Sequence, residues 1–316
     1  MRVVFLGSGS FGLPTLHHLA EHHDVVGVVT QPDQRAGRGK KLTPTPIGAW
    51  SSEHLPSTPL VKPDNINADE VRELVRSWSC DAWIVIAFGQ KLGGGLLADR
   101  FAVNLHASLL PRWRGAAPIN HAILAGDTVT GNSVITLADR MDAGFVLGQS
   151  TRPVAPDETK DHLHDLLAED GPALIEKVLK QHSNGTLEPL KQDESLVTLA
   201  GKLSKGDGWL DFSRPAAEVR CRINGLSPWP AVSVGFGAER IKVLRAGPVE
   251  AEAISSESEP GTIVDPSGGV VACGQGTAVR LIEVQPPGKK PMSFNAFANG
   301  RKINAGIRFE SSQPEA

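Results

Sequence analysis

Cysteine is scarce in this 316-residue chain: Cys80, Cys221 and Cys273 are scattered, and none forms a C-x-x-C pair. That spacing excludes a zinc ribbon or a dithiol redox motif and fits a reducing compartment. Long apolar runs are missing too, because the longest, AWIVIAFG, falls far short of the ~20 residues that span a bilayer. Nor is there an excess of positive charge; 32 Lys and Arg stand against 35 Asp and Glu, a formal net charge of -3. A protein-wide basic field is thereby excluded, and any polyanion site must be local. RVVFL gives way to glycines early and strand-like sequence starts at Arg2, so neither a secretory signal nor a transit peptide is expected. The expected location is a bacterial-type cytoplasm, with no membrane partner. No internal repeat is present.

What is there is a rhythm. Short β-branched runs alternate with helical stretches: RVVFL, FGLPTLHHLAEH, DVVGVVT, ADEVRELVRSW, DAWIVIAFG and FAVNLHASLL. Such alternation predicts an α/β fold, a Rossmann-like parallel sheet, over residues 1–190. Two further strands are expected in NSVITLADRMDAGFVLGQSTRPV, divided by a loop at Asp142, Ala143 and Gly144, and a long amphipathic helix follows. Residues 191–208 turn polar and Gly/Ser/Lys-rich and read as a linker. Over 209–316 the runs AVSVGF, ERIKVLRA, GTIVD, GVVACG and AVRLIEVQ, cut by Gly and Pro, predict a small barrel or sandwich.

Four segments carry candidate chemistry. GSGSFG, Gly7 to Gly12, has the spacing and the strand-to-helix setting of a dinucleotide fingerprint. No acid closes the second strand, which ends Thr30-Gln31-Pro32, so a tight turn that binds no nucleotide is the better reading. His18 and His22 with Glu21 have inverted-zincin spacing. With His17 and His23 they better suit a helix end, where partly protonated imidazoles meet a favourable dipole. QRAGRGKK, with Arg35, Arg38, Lys40 and Lys41, is either a loop that follows a phosphate backbone by charge or a solvated one.

The fourth is VNLHASLLPRWRGAAP with the later MDAG. On a strand, Asn104 and His106 project from one face near its carboxyl end. An amide NH2 and an imidazole N–H can donate to an oxygen gaining negative charge, as a tetrahedral acyl-transfer intermediate requires. Asp142 can orient the imidazole, stabilise its charged form and help to take a proton from an attacking amine. Polar residues at a strand end also commonly serve neighbouring backbone.

These residues resemble the folate-dependent formyltransferases. The matching blocks are QPDQRAGRGKKL at 31–42, VNLHASLLPRWRGAAP at 103–118 and MDAG at 141–144, with weaker matches in DESLVTLAGKLSKGDGWLDFS, LSPWPAVS and QPPGKKPMS. The chain departs from the family at QKLGGGLL and at its GSGSFG turn. The resemblance implies transfer of a formyl group from 10-formyltetrahydrofolate, a co-substrate, to the α-amine of methionyl initiator tRNA, without metal or NAD. Its catalytic Asn, His and Asp fall on Asn104, His106 and Asp142. Its folate-contacting residues fall on Ser108, Leu109, Leu110 and Pro111. Its acceptor-stem loop falls on Arg35, Arg38, Lys40 and Lys41. The resemblance further implies a Rossmann-like catalytic domain without a dinucleotide, an OB-fold-like, tRNA-binding second domain and a monomer. The competing functions are formyl transfer to a nucleotide-linked amino sugar, a nicotinamide-dependent dehydrogenase suggested by GSGSFG alone, and an RNA-binding module that has lost its catalytic half.

Overall fold

A computed structural model describes residues 1–36, 39, 41–249 and 258–312. The chain divides into two compact units, neither of them one continuous stretch. The first comprises Met1–Arg114, Gly131–Thr151 and His164–Thr198; the second comprises Gly115–Thr130, Arg152–Leu163 and Leu199–Ala316.

The first unit is built on a seven-stranded sheet: β1 (Arg2–Gly7), β2 (Asp24–Val29), β3 (Leu60–Val61), β4 (Ala82–Ile86), β5 (Ala102–His106), β6 (Val129–Thr136) and β7 (Val146–Pro153). Their order is β7-β6-β5-β4-β1-β2-β3. Strands β1 to β5 pair in parallel, whereas β5 and β6 are antiparallel, with His106 opposite Ser133 and Asn104 opposite Ile135. The central strands are buried on both faces, which is why they read as unbroken apolar runs rather than as alternating ones. Trp83, Leu6, Ile84 and Phe5 are fully buried, and each large apolar side chain so placed contributes about 1.5–3 kcal/mol.

Helices α1 (Leu13–His22), α2 (Pro46–His54), α3 (Asp69–Ser77) and the single turn α4 (Gly94–Leu97) connect these strands. The GSGSFG turn needs Gly7 and Gly12 for space. A Cβ on Gly7 would sit 2.6 Å from the Phe5 ring and 2.8 Å from the Ile86 carbonyl, and one on Gly12 would sit 3.0 Å from Phe5. The pattern therefore marks close packing of strand, turn and helix. The departure at QKLGGGLL is ordered by side chains: Gly93 N–H donates to Asn67 Oδ1 at 2.7 Å, and Leu96 is buried.

In the second unit α5 (Pro118–Leu124) and α7 (Ala216–Leu226) accompany an antiparallel sheet. The long helix between them, α6 (Lys160–Ser183), runs through the division of the chain. The sheet consists of β8 (Val232–Phe236), β9 (Glu239–Pro248), β10 (Ile263–Asp265), β11 (Val270–Ala272), β12 (Ala278–Gln285) and β13 (Met292–Ser293). Their order is β8-β9-β12-β11-β10, with β13 on β12. The register of β9 on β12 slips around Arg245, and the buried Asn224 makes up the pairing there: its Nδ2 donates to the Ala246 carbonyl, and Ala246 N–H donates to its Oδ1, each at 2.9 Å. Phe212, Phe294, Phe297 and Phe309 centre the core.

Candidate active site

Strand β5 carries two of the candidate site residues. Val103 and Leu105 face one way and are buried; Leu105 packs so close to α6 that a Cβ on Gly171 would sit 2.8 Å from it. The alternate residues Asn104, half-buried, and His106, buried, share the opposite face, as the strand period requires. The imidazole Nε2 lies 2.8 Å from the Trp113 carbonyl. A carbonyl only accepts, so Nε2 carries the proton and, in the neutral ring, Nδ1 keeps its lone pair. Nδ1 faces Asp142 Oδ2 at 3.6 Å, with only 7% and 13% of the two side chains exposed.

Asp142 occupies a turn that few sequences can form. Its φ of 53° is left-handed, a region Asp tolerates better than most residues. Two residues on, any Cβ at Gly144 would overlap the Thr136 carbonyl, so MDAG admits only glycine there. Thr136 closes the turn by accepting from Phe145 N–H through Oγ1 and by donating its own N–H to the Phe145 carbonyl, both at 2.9 Å. The segment is therefore a fixed holder for one carboxylate.

After His106 the chain folds into a compact loop at Ser108 to Pro111. Ser108 is fully buried, and its Oγ donates to the Arg112 carbonyl at 2.7 Å. Ser133 Oγ donates to the Ser108 carbonyl at 2.6 Å and accepts from Leu110 N–H, while Gln149 Nε2 donates to the Leu110 carbonyl at 3.0 Å. Leu110 joins Ile135 and Val146 in a small apolar cluster. Leu109 and Pro111 are the partly accessible members. Hydroxyl and backbone groups are thus consumed in holding the loop's shape.

Arg35 and Lys41 lie on neither β5 nor the Asp142 turn. They are exposed on a short hairpin, Gln34–Ala36 against Lys41–Thr43, whose lead-in is anchored by Asp33 and Lys62 at 2.6 Å. Arg38 and Lys40 lie outside the described residues. The histidine-rich end of α1 has its own partner: His23 Nε2 lies 2.7 Å and His18 Nε2 3.4 Å from one oxygen of Glu176, and Lys180 pairs with the other at 3.0 Å. Burial opposes ionisation of Glu176, but bonds from His23, Lys180 and His18 outweigh it and pull the carboxyl down to about 2. Among the described residues no group of three or more His, Cys, Asp or Glu is placed to hold a metal ion.

Two family models match the chain, one described as formyl transferase over residues 1–179 and one as the formyl transferase C-terminal domain over residues 202–302. The chain belongs to the formyl transferase family. Among curated relatives of this formyl transferase is a methionyl-tRNA formyltransferase of Bacillus mycoides (strain KBAB4), 39% identical over 98% of both chains. Another, from Cereibacter sphaeroides (strain ATCC 17025 / ATH 2.4.3), is 40% identical over 97% of this chain and 98% of its own. The fold of this chain is also that of an N-formyltransferase from Helicobacter canadensis, solved with folinic acid and dTDP-3-aminofucose, with TM-score 0.66, 13% identity and coverage of 90% of this chain and 99% of that one.

Two groups of this formyl transferase that border the candidate site gave no signal of their own in the sequence. The Trp113 carbonyl is a backbone group, and Gln192, whose Nε2 donates to the Asp142 and Gly144 carbonyls at 2.7 Å each, lies in the polar stretch read as a linker. Only the continuation of the resemblance through DESLVTLAGKLSKGDG marked that neighbourhood at all.

Proposed function

We propose that this formyl transferase moves the formyl group of 10-formyltetrahydrofolate onto the free α-amine of methionyl initiator tRNA. The observation that carries the reading is the juxtaposition of Asn104, His106 and Asp142, an amide and an imidazole on one strand face with a carboxylate 3.6 Å from the imidazole. Near-full-length similarity to methionyl-tRNA formyltransferases supports the acceptor, and the folinic acid bound by the Helicobacter canadensis neighbour supports the donor.

The attacking nitrogen is an α-amine, with an unperturbed pKa of about 8 that the electron-withdrawing ester lowers, so much of it is already neutral near physiological pH. Positioning and charge stabilisation are what remain for the protein to supply. The amine bonds to the formyl carbon, and the carbonyl electron pair moves to oxygen. Asn104 Nδ2 is the donor for that oxygen. His106 commits its Nε2–H to Trp113, so we assign it the proton: Nδ1 and Asp142 Oδ2, both acceptors, face one another where an N–H can enter between them. When Nδ1 takes the amine proton, the imidazolium stands beside a carboxylate. The carbonyl then re-forms, the bond to folate N10 breaks, and the proton passes to that nitrogen, giving formyl-methionyl-tRNA and tetrahydrofolate.

We assign folate contact to the loop of Ser108, Leu109, Leu110 and Pro111, with Leu109 and Pro111 presenting surface and Ser108 and Leu110 holding shape. Arg35, Arg38, Lys40 and Lys41 meet the acceptor stem, and the antiparallel second unit, of OB type, binds tRNA. The enzyme works as a cytoplasmic monomer. Replacing His106 by alanine tests the reading: formyl transfer from 10-formyltetrahydrofolate falls by orders of magnitude while the circular dichroism spectrum is unchanged. Near-normal turnover would remove His106 from its role.

A further inference from the structure

Both groups that bracket the His106 ring are held from one short segment, residues 190–198. On the Nδ1 side, the Gln192 amide donates to the carbonyls of Asp142 and Gly144, at 2.7 Å each. Its Oε1 accepts from Arg114 Nε at 3.0 Å. Gln192 is 7% exposed and Arg114 3%, so these bonds stand in for water. Arg114 also reaches Glu194 at 2.9 Å, and the other oxygen of Glu194 takes Arg140, two residues before Asp142, at 3.0 Å. That pairing with Arg114, joined by Arg140, holds the Glu194 carboxyl below its usual range. Leu190 and Val146 exchange both backbone hydrogen bonds at 2.8 Å, fixing where the segment starts across the turn.

On the Nε2 side the agent is Thr198. Its carbonyl accepts from Arg114 N–H at 2.9 Å, and its Oγ1 accepts from Trp113 N–H at 2.9 Å. Arg114 N–H belongs to the same planar, trans peptide as the Trp113 carbonyl, and the two groups point in opposite directions. Holding this N–H on the Thr198 carbonyl, with the preceding Trp113 N–H held on Thr198 Oγ1, aims the Trp113 carbonyl at His106.

We infer that Gln192 and Thr198, supported by Arg114, are positioning residues for formyl transfer, because they set the Asp142 turn and the Trp113 carbonyl against the two ring nitrogens of His106. The inference rests on the roles proposed above for His106 and Asp142. Gln192 also holds the left-handed Asp142 in place, since its bond to the Asp142 carbonyl opposes relaxation of that backbone.

The test is a double-mutant cycle with Gln192→Met, which keeps the side-chain volume and removes the donors. In the wild-type background kcat falls about 10- to 100-fold, the loss that a misplacement of about 1 Å produces, while KM for both substrates stays nearly constant. In an Asp142→Asn background the same change costs less than about threefold, because Gln192 acts through Asp142. A merely structural Gln192 would give equal losses in both backgrounds and would overturn the inference.

A second readout needs no turnover. In spectra of 15N-histidine-labelled protein, Gln192→Met shifts the Nδ1 resonance of His106 and Thr198→Val shifts its Nε2 resonance. Unmoved His106 signals in folded variants would also overturn the inference. Should Gln192→Met not fold, Gln192→Glu, which retains an acceptor for Arg114, takes its place with the same expectations. If the wild-type protein formylates no methionyl-tRNA, the proposed function fails, and the His106 spectra alone then decide the positioning role.

Discussion

Replacing Asp142 by asparagine removes one charge from a nearly closed site and leaves its shape almost unchanged. In the reaction as proposed, His106 becomes an imidazolium whose Nδ1 is 3.6 Å from the carboxylate. At an effective dielectric of about 20, unit charges at that separation attract by roughly 4–5 kcal/mol. Both side chains are largely buried, so water screens little of this. The amide oxygen still faces Nδ1 and recovers part of the attraction, leaving a loss of about 3 kcal/mol, or roughly 150-fold in kcat. The bonds that hold the loop proposed to contact folate, Ser108 to Pro111, do not involve Asp142. A single-turnover assay of formyl transfer to methionyl-tRNA, run beside a folate-binding titration, should show the chemical step slowed and folate affinity kept. A change in kcat below about threefold, or a loss appearing only as weaker folate binding, would refute the reasoning.

Other perturbations report on neighbouring parts of the structure. Gly144→Ala places a methyl on the Thr136 carbonyl. It should lower stability by about 1–3 kcal/mol in urea unfolding and reduce turnover at least about tenfold. Glu176→Gln should reveal an acid-range contribution: the folded carboxyl titrates at about 2 against an ordinary 4.5, so its stabilisation is complete above 4.5 and drains away as pH falls toward 2. Thermal melts should therefore show the wild type ahead of the variant by a few degrees at pH 6 and level with it near pH 2. Arg35→Ala and Arg38→Ala should each weaken use of charged tRNA far more than folate binding, and should each reduce the salt slope of tRNA affinity by about 1. Burial pushes the Cys273 thiol up to about 12, so in the folded protein at pH 8 alkylation should spare it and appear only on unfolding.

The sheet was legible because burial on both faces turns each central strand into an unbroken apolar run, as in AWIVI, bounded by helices of different period. Pairing direction is not encoded in that pattern. NSVITLADRMDAGFVLGQSTRPV announces two strands, but only the register of His106 on Ser133 shows that the first of them runs against β5. The juxtaposition of Asn104 and His106 could be read from the strand period alone. That Asp142 reaches the same imidazole could not, because the turn is set by Gly144 packing on Thr136 and by Gln192, 50 residues further on. Backbone partners such as the Trp113 carbonyl leave no mark in side-chain chemistry. The histidines in and just after α1 looked like a metal motif or a solvated helix end, and the structure gives His18 and His23 Glu176, more than 150 residues away in sequence.

The central claim is that one site, Asn104, His106 and Asp142, formylates the amine of a methionyl ester on tRNA. It is tested most directly by offering 10-formyltetrahydrofolate to the purified protein with methionyl initiator tRNA and a nucleotide-linked amino sugar in the same reaction, and by following the formyl label into each. The account predicts label in N-formylmethionine released from tRNA, none in the sugar, and its loss in the His106→Ala protein. Label in the sugar, or formylmethionine formed equally well without His106, would contradict it.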